Sequence, residues 1–465
     1  MAEASIGRET DAMEPFRYHV YVCDQQKPEG VPCCSARGSA RVIDVLRREI
    51  AARGLREEVQ ITVCGSLGLC ERGPNMVVYP EGVWYSGVRP EDVPELVRIH
   101  FQEGRVVERL ANTDAAALGA EVQSNRDKML AAQHAKDAAG ALPDDLAQTL
   151  RAFQESRVLL TAIELNLFTA VGPGAAAGEV SSKLGTNARA TEMLMNALVA
   201  MRLLSKQDGT FRNTPVTARY FVESSADNAR PATMHTVHLW RRWSTLTECV
   251  RAGTAVAQEE MRERGEEWTR AFIAAMHRNA GERAAQVVEA VGTEGVKRML
   301  DVGGGSGAYS IAFARASEEL HVELLDLETV IPIAQSHIDK AGLADRIKTR
   351  AGDLRAGALG EGCDLVFVSA ICHMLSPEEN RDLLERCRAA LAPRGRVVIQ
   401  DFILEPDKTA LKFAALFALN MLVGTRAGSS YSEPEYATWL RAAGFDDVRR
   451  VHLPGPSALM LGTRP

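Results

Sequence analysis

The chain has 465 residues, which is too long for one hydrophobic core and indicates two or three domains. Apolar residues make up 46% and charged residues 25%, as in an ordinary globular protein. The net charge of −7 provides no general basic field, which excludes broad attraction to nucleic acid or to an anionic membrane.

The first 16 residues, MAEASIGRETDAMEPF, contain neither the basic nor the apolar region of a signal peptide, so we expect a cytoplasmic protein. The most apolar stretch, 411–424, is 14 residues long. A membrane span needs roughly 20 apolar residues, so this stretch is predicted to be a buried helix.

Residues 17–110 are predicted to form a compact domain. A helical apolar stripe runs from Ser39 to Ala52, EDVPELVRIHF indicates a closing helix, and four segments have the pattern of strands: YHVYVC, VQITVC, NMVVY and GVWYSGV. Residues 111–143, rich in Ala, Asp, Gln and Lys, lack a sustained apolar stripe and are predicted to be a partly helical linker.

Five of the nine cysteines lie in the first 70 residues: Cys23, Cys33, Cys34, Cys64 and Cys70. Without a secretory signal, metal binding is the leading interpretation and a disulfide framework is disfavoured. Thiolates on loops in this four-ligand pattern suit a [2Fe–2S] cluster or zinc.

Residues 144–290 are predicted to be helical, with a short hairpin at LLSKQDGTFRNT and the pattern of a winged helix. The helix in the recognition position, Ala190 to Ala200, is apolar and has no arginine or lysine for phosphates or base edges. We therefore predict a dimerisation surface and no contact with DNA.

From residue 297 onward, strand patterns alternate with helical ones, which predicts a doubly wound parallel sheet over 291–465. The segment MLDVGGGSGAYSIAFARA contains a strand, a glycine-rich turn and a helix. Gly303, Gly305 and Gly307 allow a tight turn and close approach of a ligand. Their spacing alone does not distinguish NAD from S-adenosylmethionine (SAM).

Carboxylates after three successive strands favour SAM. Asp301 precedes the glycines, where it can accept from the ammonium group that SAM has and NAD lacks. Asp326 is at the position of an acid that binds ribose hydroxyls, and Asp353 can reach the adenine amino group. Leu354 and Ser369 complete the predicted cofactor contacts. The alternative is a Rossmann-like domain that binds a different nucleotide or none.

His373 follows the fourth strand of this region, at the edge where open α/β sheets bind ligands. A histidine there can take the proton of a hydroxyl, and Asp401, at the end of the next strand, can orient the imidazole. The alternative role for His373 is substrate positioning or packing. Six aromatic and methionine residues are candidates for an acceptor pocket or for plain core: Met195, Trp240, Trp243, Phe272, Met276 and Met421.

Residues 144–465 resemble the class I O-methyltransferases of the plant caffeate and bacterial hydroxyneurosporene or polyketide type. The resemblance is carried by several stretches, which include LDVGGGSG, LLDLETV, AGDL, ICHMLSPEENRDLLERC, LAPRGRVVIQDFIL and WLRAAGF. It implies a SAM-dependent enzyme for small molecules, a helical dimerisation domain, a homodimer, His373 as base and Asp401 as its support.

Two departures from that family concern the base. The Asp-Trp that follows the histidine in the family is Met374-Leu375 here, and the second supporting acid of the family falls at Ser430. In several bacterial relatives the histidine is dispensable and proximity to SAM is sufficient.

Residues 17–110 resemble the thioredoxin-like [2Fe–2S] ferredoxins, on the text around Cys23, Cys34 and Cys70. The resemblance implies a [2Fe–2S] cluster, for which these three residues match the family's ligands. The fourth family position is Ser66, and the nearest thiol is Cys64. We predict Cys64 as the fourth ligand. One alternative is that Ser66 is a weak ligand, and another is that the domain is a structural relic without a cluster.

The sequence thus predicts a ferredoxin-like domain, a helical dimerisation domain and a Rossmann-like methyltransferase domain. The expected reaction is O-methylation of a small molecule, with an electron-transfer partner for the cluster. A rival hypothesis is a redox-responsive regulator whose SAM domain does not turn over. The Cys-x-x-x-Cys-x-x-Cys pattern of radical SAM enzymes is absent.

Overall fold

The computed structural model describes residues 15–27, 31–140, 142–256, 265–281 and 283–465. Residues 1–14, on which most of the signal-peptide prediction rests, lie outside these ranges. The chain divides into two compact units, Met1–Gln148 and Thr149–Pro465. Within the described ranges, no helix has both the length and the apolar character needed to cross a membrane.

The first unit is built on a four-stranded sheet of order β2-β1-β3-β4. Strands β1 and β2 are parallel, and β3 is antiparallel to both β1 and β4. The elements are β1 (Tyr18–Cys23), α1 (Ser39–Ala52), β2 (Val59–Cys64), β3 (Met76–Tyr79), β4 (Val83–Tyr85) and α2 (Val93–Leu96), which a π-helical segment continues over Val97–Gln102. Helix α1 buries the predicted stripe, including Val42 and Leu46, in the core of this unit.

The predicted linker contains a long helix, α3 (Ala115–Ala138), which contacts the cysteine-bearing loop after β2. Asn125 Nδ2 donates to the Gly68 carbonyl oxygen at 2.8 Å, and Arg72 pairs with Glu121 at 2.9 Å. A polar helix without a strong apolar stripe is thus held to the loop by side-chain hydrogen bonds and charge.

The second unit begins with helices and a three-stranded sheet of order β5-β7-β6, whose β6–β7 hairpin matches the predicted wing. Asn187 caps α7 by accepting from Ala190 N at 3.1 Å. The elements are α4 (Asp144–Glu164), α5 (Leu167–Val171), β5 (Ala175–Ala176), α6 (Ala177–Leu184), α7 (Ala188–Ala200), β6 (Leu204–Gln207), β7 (Thr210–Asn213), α8 (Pro215–Phe221), α9 (Arg230–Trp243), α10 (Leu246–Ala252), α11 (Glu266–Gly281) and α12 (Ala284–Val291).

A seven-stranded sheet of order β10-β9-β8-β11-β12-β14-β13 follows, in which only β14 runs antiparallel to the other strands. Its elements are β8 (Arg298–Val302), α13 (Ala308–Ala316), β9 (His321–Asp326), α14 (Ile331–Ala341), β10 (Ile347–Ala351), β11 (Cys363–Ser369), α15 (Pro377–Ala390), β12 (Leu391–Asp401), α16 (Lys412–Gly424), α17 (Glu433–Ala442), β13 (Asp446–His452) and β14 (Ala458–Thr463). The predicted doubly wound sheet is confirmed, and the antiparallel pair β13–β14 extends it.

Local sequence explains the central elements. Strand β11 and the second half of β12 contain short buried apolar runs, residues 365–368 and 397–399, because helices cover both faces of a parallel sheet. Helix α15 starts at a capping box in which Ser376 Oγ accepts from Glu379 N and Glu379 accepts from Ser376 N. The apolar stretch 411–424 forms α16, which is only partly buried; Phe413 and Leu416 are exposed.

Candidate active site

The carboxyl ends of five parallel strands lie along one edge of the large sheet. In spatial order, Asp353 follows β10, Asp326 ends β9, Asp301 is the penultimate residue of β8, Ser369 ends β11 and Asp401 ends β12. The strand order reverses between β8 and β11, and ligands bind at such a switch point in open α/β sheets. The fold therefore gathers the predicted site residues in one row.

The turn after β8 requires its glycines. Gly303, Gly305 and Gly307 have φ angles of 70°, 57° and 78°, a region that glycine adopts without strain. A Cβ on Gly303 would lie 2.4 Å from Ile371 Cδ1, and one on Gly304 would lie 2.6 Å from Leu324 Cγ. The spacing of the other three glycines predicted the turn, whereas the packing requirement at Gly304 appears only in the structure.

Asp301 is buried at the base of this turn and accepts a hydrogen bond from Ser310 Oγ at 2.6 Å. Burial raises the pKa of Asp301 to about 7, against the hydrogen bond from Ser310. Asp326 accepts from Gly305 N and Leu327 N, each at 2.7 Å, and burial raises its pKa. The carboxylate of Asp326 thus fixes the glycine turn as well as facing the cavity.

The remaining predicted cofactor residues line the same cavity. Asp353 accepts from Arg355 Nε and Nη2, both at 3.3 Å, and Leu354 lies beside it. Ser369 donates to Gln400 Oε1 at 2.6 Å. All seven predicted cofactor contacts therefore border one space.

His373 and Asp401 form a buried pair. His373 Nδ1 lies 2.6 Å from Asp401 Oδ1, and His373 N donates to Asp401 Oδ2 at 3.1 Å. Because an ionised carboxylate only accepts, Nδ1 carries the hydrogen and Nε2 is left with a lone pair. Phe417 packs edge-on against the imidazole with a centroid separation of 4.8 Å. The ring is thus fixed in orientation and tautomer.

Tyr436 is a further member of this group that sequence reasoning missed. Its buried hydroxyl donates to Asp401 Oδ2 at 3.0 Å, and Phe402 N donates to Oδ1 at 2.8 Å. Ser430, at the position of the family's second acid, instead donates to the Ala414 carbonyl oxygen at 2.9 Å. Support for His373 therefore comes from Asp401, which four donors hold in place.

A cavity of about 830 Å³ joins the cofactor residues to His373. Two aromatic groups line it: Trp268 stacked on Phe272 at 5.0 Å, and a cluster formed by Phe402, Phe413 and Phe417. Volume and lining are those of a small-molecule site.

Four of the six predicted pocket residues line this cavity: Trp243, Phe272, Met276 and Met421. The other two candidates belong to the core, the alternative that the sequence left open. Met195 is fully buried in the core of the helical region. Trp240 packs against that core, with the Arg157 guanidinium 5.7 Å from its ring. Helical spacing of apolar residues did not distinguish a pocket wall from a core.

The N-terminal cysteines lie at the ends of β1 and β2 and on the flanking loops. Cys23 and Cys64 are register partners. The pKa of Cys23 is lowered to about 6 by hydrogen bonds from the Cys34 thiol and from the backbone of Gln25 and Leu67. Ser66 Oγ lies 3.2 Å from Cys70 Sγ.

Within the described ranges, no three His, Cys, Asp or Glu side chains form a group that could hold a metal ion. Cys33 is buried beside Cys34, and its sulfur accepts from Ala36 N at 3.5 Å. The [2Fe–2S] cluster therefore stays a prediction.

Comparison with known proteins identifies the second unit. The O-methyltransferase domain matches residues 243–446, and the O-methyltransferase dimerisation domain matches residues 147–224. A 3-hydroxy-5-methyl-1-naphthoate 3-O-methyltransferase of Streptomyces sahachiroi is 36% identical over 65% of this chain and 90% of its own length. The tetracenomycin polyketide synthesis 8-O-methyl transferase TcmO of Streptomyces glaucescens is 29% identical over 70% of this chain and 97% of its own length.

The solved structure of PigF with SAH, a relative that occurs in a Serratia species, covers 70% of this chain and all of its own. The two structures match with a TM-score of 0.64 at 25% sequence identity. The glycine turn, the row of acids, the cavity and these matches lead to one conclusion: the chain belongs to the family of SAM-dependent O-methyltransferases that carry a dimerisation domain.

Proposed function

We propose that this enzyme methylates a hydroxyl group on a fused-ring aromatic compound, with His373 as the general base. The observation that carries the proposal is the His373–Asp401 pair at the wall of an aromatic cavity that also contains the SAM residues. The two Streptomyces relatives are named for O-methylation of a hydroxynaphthoate and in tetracenomycin polyketide synthesis.

The cofactor site fits SAM by the chemistry of its donors. Asp326 would accept from the ribose hydroxyls, Asp353 from the adenine amino group and Asp301 from the ammonium group, around a turn that Cβ atoms would fill. When bound, SAM supplies an electrophilic methyl group on a sulfonium ion.

His373 Nε2 takes the hydroxyl proton as the acceptor oxygen forms its bond to the methyl carbon. Methyl transfer from bound SAM would break the bond from that carbon to sulfur and would leave the thioether S-adenosylhomocysteine as the second product. Asp401 stabilises the imidazolium that results, and it keeps Nδ1 protonated throughout. The aromatic walls hold the acceptor plane, so that much of the rate comes from positioning.

The test is single-turnover methyl transfer in two variants. His373→Ala is expected to slow transfer by about 10²–10⁴, the usual value of general base catalysis, while affinity for SAH is kept. Asp401→Asn should slow transfer less. If both variants react at the wild-type rate, positioning alone drives the reaction and the base assignment is wrong.

We also propose that the first unit is a thioredoxin-like ferredoxin domain with a [2Fe–2S] cluster held by Cys23, Cys34, Cys64 and Cys70. The strand order β2-β1-β3-β4, with β1 and β2 parallel, supports the thioredoxin-like assignment. The thiols of Cys23 and Cys34 share a hydrogen bond and form one pair, and Leu67 N points to Cys23 from the loop that carries Ser66 and Cys70.

Pairs of ligands suit a cluster whose two irons each bind two of them, better than a zinc ion, which gathers four around one centre. Cys64 is the proposed fourth ligand, and Ser66 is its competitor for that position. Ser66 Oγ contacts Cys70 Sγ in this structure, which favours serine, whereas iron prefers a thiolate, which favours Cys64. When bound, the cluster would accept or pass single electrons to a redox partner.

Anaerobic purification tests the cluster through colour and iron content. About two irons per chain are expected. Cluster loss in Cys64→Ala, with retention in Ser66→Ala, supports the thiolate; the reverse result assigns serine. Wild-type protein without iron after anaerobic reconstitution would mean that the domain has a structural role only.

A further inference from the structure

The loop between β10 and β11, residues 352–362, carries Asp353 into the cofactor cavity. The structure describes all of this loop, and only Leu359 in it is buried. A segment with so few buried apolar contacts has little local stability of its own. The contacts that tie the loop to its neighbours therefore decide where the Asp353 carboxylate lies.

Arg386, in α15, holds the half of the loop that contains Asp353. Its Nη1 donates to the Leu354 carbonyl oxygen at 2.6 Å and to the Gly357 carbonyl oxygen at 3.4 Å. Its Nε and Nη2 donate to Asp382 Oδ2, one turn earlier in α15, at 3.0 Å and 2.8 Å. The Arg386 side chain is only 18% exposed, so water screens its contacts with the loop weakly. A fixed guanidinium thus holds the backbone that directly follows Asp353.

The other contacts of the loop leave this task to Arg386. Arg350 Nη2 donates to the Leu359 carbonyl oxygen at 2.8 Å, near the far end of the loop. Residues 357–360 lie opposite Arg386 and Ala389 across a cleft of about 320 Å³. The loop therefore does not pack tightly on α15, and its place relative to that helix depends on the Arg386 hydrogen bonds.

We propose that Arg386 is a positioning residue for adenine recognition. It holds the loop so that the Asp353 carboxylate stays where it accepts from the adenine amino group. Arg386 lies outside the cofactor cavity, so its effect must pass through the loop. Arg355, which pairs with Asp353, belongs to the same loop and moves with it. The inference rests on the Asp353–adenine contact of the proposed function and adds the residue that maintains it.

Calorimetry on the full chain with two probes tests this role. S-adenosylhomocysteine (SAH) has the adenine amino group, and S-inosylhomocysteine has a carbonyl oxygen in its place. The wild type should prefer SAH by about tenfold to a hundredfold, because the second probe cannot donate that charge-assisted hydrogen bond. Arg386→Met, which removes the donors, should lower this preference by about threefold to tenfold, as for contacts that are energetically coupled. Arg386→Lys keeps the charge and should recover part of the preference.

Two further variants serve as controls. Asp353→Ala removes the adenine contact itself, so adding Arg386→Met to it should not change the preference further. Arg388→Met removes another arginine of α15, which donates from Nε to the Gly444 carbonyl oxygen at 3.1 Å in a different loop. This variant should bind both probes as the wild type does.

Three results would overturn the assignment. If Asp353→Ala keeps the wild-type preference, the adenine contact of the proposed function is wrong, and the role of Arg386 is wrong with it. If Asp353→Ala loses the preference and Arg386→Met keeps it at full affinity, only the role of Arg386 is wrong. Equal losses of affinity for both probes in Arg386→Met would show that the residue stabilises the fold without positioning Asp353.

Discussion

Lowering the pH below 7 is expected to weaken cofactor binding chiefly through the carboxyl group of Asp301. The group is 1% exposed, and burial raises its pKa to about 7. Only the ionised form can pair with the ammonium group of SAM. The bound cofactor therefore favours the deprotonated state, and affinity must rise as the pH passes upward through the pKa.

The size of the effect follows from that pKa. At pH 6 about one molecule in eleven has an ionised Asp301, and at pH 8 about ten in eleven do. Apparent affinity scales with the binding-competent fraction, so SAH should bind about tenfold more weakly at pH 6 than at pH 8.

Titration calorimetry of SAH at pH 6, 7 and 8 measures this slope. Methylthioadenosine, which has no ammonium group, should bind with little pH dependence. Asp301→Asn should bind SAH weakly at every pH and lose the slope. A wild-type slope in Asp301→Asn, or an equal slope for methylthioadenosine, would refute the reasoning.

Three other outcomes follow from the same geometry. Asp326→Ala should weaken SAH about tenfold to a hundredfold by calorimetry, because a charge-assisted ribose contact is lost; tight binding of NAD instead of SAH would contradict the cofactor assignment. Tyr436→Phe removes one of four donors to Asp401, so kcat should fall by up to about tenfold with SAH affinity kept; an equal loss of both would mean a folding defect. Light scattering should report a dimer at micromolar concentration, because the chain has the family's dimerisation domain, and a monomer would count against it.

The cofactor half of the site could be predicted because its chemistry depends on the backbone. Turn glycines and strand-end acids follow each other at short, fixed spacing, and the topology of a doubly wound sheet brings the strand ends together. Asp301, Asp326 and Asp353 consequently line one cavity, as the sequence indicated.

The acceptor half could be predicted only in part, because it depends on whether a given face of a helix packs against the cavity or against the protein core. Met195 and Trp240 have the same apolar spacing as true pocket residues, yet the winged-helix core buries Met195 and packs against Trp240. Tyr436 lies 35 residues beyond Asp401 and carries no local motif, so only the packing of α17 reveals its hydrogen bond.

In the N-terminal unit, the sequence predicted most of the elements but not the length or the contacts of α3. Strand and helix patterns gave its elements, including the stripe of α1. The polar helix α3 was expected only as a partly helical linker, because it has no strong apolar face and is held to the cysteine loop by Asn125 and Glu121. Long-range polar contacts of this kind leave no periodicity in the sequence.

The most direct test of the central claim is methyl transfer from SAM with a ¹³C-labelled methyl group to a panel of hydroxynaphthoates and larger polycyclic phenols. The carbon shift of the product distinguishes O-methylation from C-, N- or S-methylation. We predict an O-methylated product from at least one fused-ring phenol, formed by the wild type and about 10²–10⁴ times more slowly by His373→Ala. SAM binding without turnover of any phenol, or methylation at another atom, would contradict the account.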